Sequence, residues 1–235
     1  MLKCFKMKWN LIYLDRTTST NDVAKSLPFL SVVVAREQTK GRGRYARNWV
    51  SEPDNLFFSV VLKEFGVKTH LLSFVVAISV AESLESLVAK IKWPNDILIH
   101  GKKVAGILLE LFDDKVIVGI GINTMQMPKG DFVYPVGCLD GAVTNEILLN
   151  NILNNLSNNI KIFEENGFEK IREKWLGFAL GLGEEIVVKL PQNIYEGIFE
   201  DMTNDGAIQL KMKDLSCKYI TAGDVFLLNE GKNNE

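Results

Sequence analysis

Apolar positions along this chain follow two periods. Residues 9–14 carry Trp9, Leu11, Ile12, Tyr13 and Leu14, interrupted by Asn10 and closed by Asp15, and read as a first strand. The polar run Thr17-Thr18-Ser19-Thr20-Asn21-Asp22 then feeds a short helix through Val23, Ala24 and Leu27, with Ser19 placed to cap it. Val32-Val33-Val34-Ala35 is a buried-type strand, and residues 56–62 form another. Over residues 70–89 the period changes to that of a helix, with Leu71, Phe74, Val75, Ile78, Ala81, Leu84 and Val88 on one stripe. Three strand-like runs follow, at 91–100, 104–112 and 116–122, separated by Gly101-Lys102 and Asp113-Asp114.

Residues 124–143 read as a loop. Thr144 then opens a helix bearing Leu148, Ile152, Leu156, Ile160 and Phe163 on one face, Gly167 can end it, and a second helix covers about 168–175. Beyond Gly177, Gly181 and Gly183 only short β runs remain, at 186–188, 195–199, 207–212, 218–221 and 225–228. Asn204-Asp205-Gly206 is a hairpin turn among them. The pattern predicts an α+β fold with a largely hairpin-connected mixed sheet, followed by a small β-barrel over about 184–229 and a frayed tail at 231–235. Domains are expected at 1–183 and 184–235.

Composition narrows the function. At 235 residues with 47% hydrophobic content, the chain has enough apolar material for a real core. Its net charge of −2 supplies no global field for nucleic acid, so any anion site must be local. Cys4, Cys138 and Cys217 are odd in number and widely spaced, which fits a reduced cytoplasm and not a disulfide framework. The two histidines, His70 and His100, make neither a zinc cluster nor a histidine-based triad. The longest apolar region, 71–81, is too short to span a bilayer, and the N-terminal run lacks a signal peptide's cleavage site.

Five groups carry the candidate chemistry, and each also has an ordinary structural reading. Gly41-Arg42-Gly43-Arg44-Tyr45-Ala46-Arg47-Asn48-Trp49 puts three arginines between close-turning glycines, either an anion-ordered loop or a solvated basic one. In Lys92-Trp93-Pro94-Asn95-Asp96 the proline forces a turn or bulge. Asp96 there can hold Mg²⁺ or orient an attacking amine, or it can simply close an Asx turn. Lys103 enters an otherwise apolar strand ahead of Gly106, aimed into a pocket or lying on a sheet edge. Gly119 and Gly121 leave a smooth floor beside which a flat ring can lie, and Asn123 can read a base edge; packing glycines are the alternative. This is no dinucleotide fingerprint, because the third glycine and the helix are missing. Ser19, Thr20, Asn21 and Gln38 can hold a small polar head group or merely cap a helix.

In this order the five groups resemble the biotin protein ligases, over roughly residues 9–229. The resemblance implies a catalytic domain like that of class II synthetases with a C-terminal SH3-like barrel. It implies ATP-dependent activation of biotin as biotinyl-5′-AMP, then transfer to a lysine of a biotin carboxyl carrier protein. On this resemblance Lys103, Arg42, Arg44 and Asp96 are catalytic. Biotin is held by Ser19, Thr20, Asn21, Gln38, Gly41, Arg42, Gly43, Arg44, Lys103, Gly106 and Gly119. ATP and the adenylate are held by Arg44, Arg47, Trp49, Lys92, Asn95, Asp96, Gly121 and Asn123. Mg²⁺ is expected to arrive with ATP, touching Asp96 if any protein group, and a cytoplasmic homodimer is implied.

Two departures stand out. Tyr45 and Ala46 occupy positions where the family pattern has arginine and glycine, so the loop is expected to order differently. A first strand starting by about residue 9 leaves no room for the DNA-binding domain of longer members, and no repressor role through it is expected. A lipoyl or octanoyl ligase or transferase is the rival within the fold. A nucleic-acid-binding module using the basic loop and the barrel is the rival from another class.

Overall fold

The computed structural model describes residues 7–132 and 134–227. The reading of a frayed tail, the end of the 225–228 run and Cys4 lie outside the described residues. The first part of the chain builds a seven-stranded sheet from β1 (Asn10–Thr17), β2 (Ser31–Gln38), β3 (Leu56–Lys63), β4 (Lys90–Lys92), β5 (Asp96–Ile99), β6 (Lys102–Phe112) and β7 (Lys115–Ile122). The order is β1-β2-β3-β7-β6-β5-β4. β1 and β2 are parallel, joined by a crossover through the short helix α1 (Thr20–Ala24), and every other pair is antiparallel. The run at 91–100 is thus two strands: the Trp93-Pro94-Asn95 turn, with a cis Trp93-Pro94 bond, makes β4 and β5 a hairpin.

On β7, Val116, Val118, Ile120 and Ile122 face one side and pack into the main core. Against that face lies α2 (Leu72–Ser83), with nine of its twelve residues buried. Val76, Ala77 and Val80, outside the expected stripe, are as inaccessible as the stripe itself. A helix enclosed on nearly all sides has no polar face to mark its period. The expected helix over 70–89 is therefore shorter. It is flanked by 3₁₀ turns at Gly66–Leu71 and Glu85–Leu87, and Val88 is exposed with φ 56°.

Two more helices complete that layer: α3 (Asn145–Asn166), capped by the Thr144 side chain accepting from Ile147 N–H, and α4 (Phe168–Phe178). Gly167, with φ 71°, separates them. All five late β runs form strands: β8 (Glu185–Lys189), β9 (Ile194–Met202), β10 (Ile208–Lys211), β11 (Cys217–Ile220) and β12 (Asp224–Leu227). They make an antiparallel sheet in the order β11-β10-β9-β8-β12. Trp175, Phe199 and Phe74 join this sheet to α2 and α4, Trp175 meeting Phe74 edge-on and Phe199 at a tilt. No helix among the described residues is long and apolar enough to cross a membrane.

Candidate active site

The other face of the large sheet is only partly covered. α1 closes one end over Val33, Val61 and Ile117. Beyond it a cavity of about 490 Å³ opens between the α1 start, the arginine loop, the middle of β6 and β7, residues 128–132 and 134–136, and Asp224 of β12. Strand alternation puts Gly119 and Gly121 of β7, opposite Leu108 and Gly106 of β6, on this face.

These glycines do not leave bare floor. A Cβ at Gly119 would collide with the Asn21 amide, and one at Gly121 would sit 2.5 Å from the Trp49 indole, which also crowds Gly106 at 2.9 Å. The flat ring against Gly121 is thus the chain's own Trp49, whose buried Nε1 has no partner among the described residues.

At the α1 end Ser19, Thr20 and Asn21 are each 3% exposed. Ser19 occupies the N-cap position in extended conformation, yet its side chain makes no capping bond, contrary to the sequence expectation. Thr20 donates through its backbone N–H and its hydroxyl to Gln38 Oε1, at 2.8 and 3.1 Å. The Ser59 hydroxyl lies 2.7 Å from Thr20 Oγ1 and 2.5 Å from Asn21 Oδ1. Asn21 Nδ2 donates to Glu110 at 2.7 Å.

The arginine loop is a closed turn. Trp49 N–H donates to Gly41 O, Gly43 N–H to Arg47 O, and Arg42 bridges Asn48. A Cβ at Gly41 would lie 2.8 Å from Trp49 O, so Gly41 serves the closure and, unlike Arg42, Gly43, Arg44, Arg47 and Trp49, does not border the cavity. Tyr45, at φ 55°, lies between two guanidinium groups, Arg44 at 5.0 Å and Arg47 at 5.6 Å from its ring centroid. The departure at Tyr45 thus exchanges a cation for a surface on which its neighbours rest.

Each arginine has protein partners. Arg42 bonds Asp22 and Glu110, Arg44 bonds Asn95 Oδ1 at 3.3 Å, and Arg47 meets Asp224 at 2.6 Å. The Asp22 and Glu110 bonds raise the Arg42 guanidinium above its usual range. The Arg42 bond lowers Asp22. Burial pushes Glu110 upward, but donation from Arg42 and Asn21 outweighs it and leaves the carboxyl below its usual value. Burial, then Asp224, raises the Tyr134 phenol.

At the far end Lys103 Nζ meets Asp96 at 2.7 Å. A bulge near Ile97/Leu98 disturbs the β5–β6 register, and Lys103 bonds through its backbone to Pro135 O and Gly137 N–H. Lys103 therefore lies inside a three-way junction and not on a free edge. Asn95 is buried, donating to Ile107 O. Asn123 lines the cavity; its Nδ2 donates to Gly137 O at 2.9 Å, and its buried Oδ1 has no partner among the described residues. Lys92 does not border the cavity: its ammonium lies 3.2 Å from the Tyr134 ring centroid, and Tyr134 in turn stacks on Phe226 of β12. Among the described residues no three His, Cys, Asp or Glu side chains cluster as for a metal.

Residues 13–124 match the biotin/lipoate A/B protein ligase family, and residues 181–228 match the biotin protein ligase C-terminal domain. A biotin--[acetyl-CoA-carboxylase] ligase of Paracoccus denitrificans is 36% identical over 84% of this chain and 92% of its own length. The chain belongs to the biotin protein ligase family. The bifunctional ligase/repressor BirA of Bacillus subtilis is 32% identical over 96% of this chain and 76% of that protein. The Aquifex aeolicus biotin protein ligase in complex with biotin and ATP superposes with a TM-score of 0.82 at 32% identity, covering 93% of this chain and 98% of that one.

Within this family member the sequence reading missed several groups that line the cavity or bond the residues lining it. Ser59 is the one hydroxyl in the apolar strand β3, and it shares a face with Gly119, its partner in register. Glu110 follows Gly106 by four residues on one strand, so alternation puts both on one face. Those two had a signal. Tyr134, Asp131 and Asp224 come from a loop and from the second sheet, and nothing local marks them.

Proposed function

We infer that the chain is a biotin ligase that works in this cavity in two steps. Biotin's carboxylate attacks the α-phosphorus of ATP, forming biotinyl-5′-AMP and breaking the bond to pyrophosphate. A lysine amine of a carboxyl carrier protein then attacks the acyl carbonyl, and AMP leaves. The observation that carries this reading is the cavity's polarity. A neutral hydrogen-bonding end (Ser19, Thr20, Asn21, Gln38) faces a cationic end (Arg44, Arg47, Lys103) across the face bearing Gly119 and Gly121. A ureido ring needs the first, and a carboxylate meeting a triphosphate needs the second.

The roles follow from placement. Asp96 keeps the Lys103 ammonium pointed at one spot, where it can donate to the biotin carboxylate in the first step and to the acyl carbonyl in the second. Arg44 and Arg47 exchange Asn95 and Asp224 for phosphate oxygens. Asn123 lines the cavity, and its Oδ1, buried and unpartnered among the described residues, is the acceptor that would meet the amino group of adenine. Trp49 walls the site against the strand glycines. Mg²⁺ suits such a site when carried on ATP, since the cavity offers scattered carboxylates, Asp96, Asp131 and Asp224, and no cage; it would neutralise phosphate charge.

We further propose two domains, 1–183 and 184–235, a homodimer, and a cytoplasmic setting in keeping with free Cys138 and Cys217. The match to the biotin-specific C-terminal domain favours biotin over lipoate or octanoate. Commitment of Arg42 to two carboxylates speaks against a nucleic-acid surface. Incubation with biotin, ATP and Mg²⁺ should give biotinyl-AMP by mass spectrometry and a raised Tm. Formation of lipoyl- or octanoyl-AMP instead, or of no adenylate at all, would overturn the reading.

A further inference from the structure

Glu110 stands between two groups that the ligase reading treats separately. On β6 it faces the cavity side of the sheet, paired with Ile117 of β7. Its Oε2 accepts from Asn21 Nδ2 at 2.7 Å and from Arg42 Nη2 at 2.8 Å, and its Oε1 accepts from Arg42 Nε at 3.1 Å. One carboxylate thus ties the buried head end to the arginine loop. Asp22 takes the remaining edge of Arg42, through Nη1 at 3.1 Å and Nη2 at 2.8 Å. All three Arg42 nitrogens therefore donate to protein carboxylates, and the guanidinium charge is answered before any phosphate arrives.

We propose that Glu110 is a positioning residue that couples filling of the biotin head pocket to the ordering of the arginine loop, with Arg42 as the strut of that coupling and not as a phosphate-binding group. The inference rests on the biotin ligase reading. The Asn21 amide is held from both ends, its Oδ1 beside the Ser59 hydroxyl and its Nδ2 on Glu110, with Gly119 leaving the space it needs. Donation to a carboxylate polarises an amide and makes its oxygen a better acceptor. A ureido N–H bonding that oxygen strengthens the Asn21–Glu110 bond in return, and Glu110 holds Arg42 by two nitrogens. Head-group binding and loop order are then one event. Arg44 and Arg47, further along the same loop, are delivered by it.

The test is a set of thermodynamic cycles read by biotin titration of the full chain without ATP. Glu110→Gln keeps the shape and one acceptor but loses the charge. It should weaken biotin about tenfold, as loss of a charge-assisted bond does, with kcat at saturating biotin and ATP within about twofold of wild type. Asn21→Ala and Arg42→Ala should be non-additive in their effects on biotin Kd while Glu110 is present, and additive once Glu110→Gln is added. Asp22→Asn, which loosens Arg42 without touching Asn21, should leave the non-additivity in place. Unchanged biotin affinity in Glu110→Gln, or additivity of Asn21→Ala and Arg42→Ala with Glu110 intact, overturns the inference. The second measurement stands even if Glu110→Gln fails to fold. A wild type that binds no biotin sinks the ligase reading itself, which sets that failure apart from this one.

Discussion

The two ends of the cavity are built on opposite principles. At the α1 end, Ser19, Thr20 and Asn21 are almost wholly buried, and the Thr20 and Asn21 side chains bond to Gln38, Ser59 and Glu110. At the far end, Arg47 is 52% exposed on its bond to Asp224, and Arg44 rests on Asn95 and Tyr45. The first end is finished before a ligand comes; the second holds its cations on neutral or acidic groups of the protein that a polyanion can displace. A preformed neutral pocket gives selectivity at low ordering cost. An exchangeable cationic end can let pyrophosphate go and then admit a carrier lysine, which a permanently closed clamp would hinder.

The largest expected effect is at the far end. Lys103→Ala removes the donor proposed to meet the reacting oxygens, and pyrophosphate release at saturating substrates should fall by about a hundredfold or more, as when an oxyanion donor is lost. Biotin affinity should suffer far less. Near-normal pyrophosphate release would leave Lys103 as a mere partner for Asp96. At the finished end the reverse split is expected. Ser59→Ala strips a buried bond from Thr20 and Asn21, so biotin KM should rise roughly tenfold while kcat holds. If kcat falls and KM does not, the neutral end is not a ground-state binding site and the contrast between the ends is wrong.

A smaller effect separates exchange from clamping. The Arg47–Asp224 pair is half-exposed and is worth about 0–1 kcal/mol to stability. Asp224→Asn should therefore move Tm little. Because Asp224 competes with phosphate for Arg47, its neutralisation should lower the KM for ATP severalfold at most. A rise in that KM would show that Asp224 aims Arg47 at the nucleotide and does not release it.

What the sequence disclosed follows the same divide. Strand periods, the Pro94 turn, the Thr144 cap and the Gly167 break were legible because each is local, set by residues within a few positions. The end of α2 was not, because a helix buried all round keeps apolar residues past its last turn, as Val88 does. Motif order located both ends of the cavity, with the exceptions of Gly41, which closes the loop, and Lys92, which lies behind Tyr134. The partners that hold the motifs in place were hidden. Ser59 and Glu110 required knowing which strand faces align, and Asp224 required knowing that the second sheet folds back over the loop. Tertiary pairing carries most of that information; the only local marks were the four-residue spacing of Gly106 and Glu110 and the lone hydroxyl of β3.

The smallest effect tests whether the finished end owes its order to carboxylates. Asp22 and Glu110 both ionise more readily in the folded chain than their ordinary values of 3.8 and 4.5. Groups depressed by folding contribute stability that is fully present above their unfolded values and is lost as pH falls through the folded ones. The window therefore opens below about pH 4.5 and extends to lower pH. Thermal unfolding followed from pH 8 to pH 3 should show a constant gap in Tm between wild type and the double substitution Asp22→Asn with Glu110→Gln down to about pH 5. Below that the gap should narrow, because wild type then loses by protonation what the variant lacks already. Acid loss common to other carboxylates cancels in the difference. A gap that stays flat into acid would mean that shape and not charge holds Arg42, and the head end would then be preformed by packing alone.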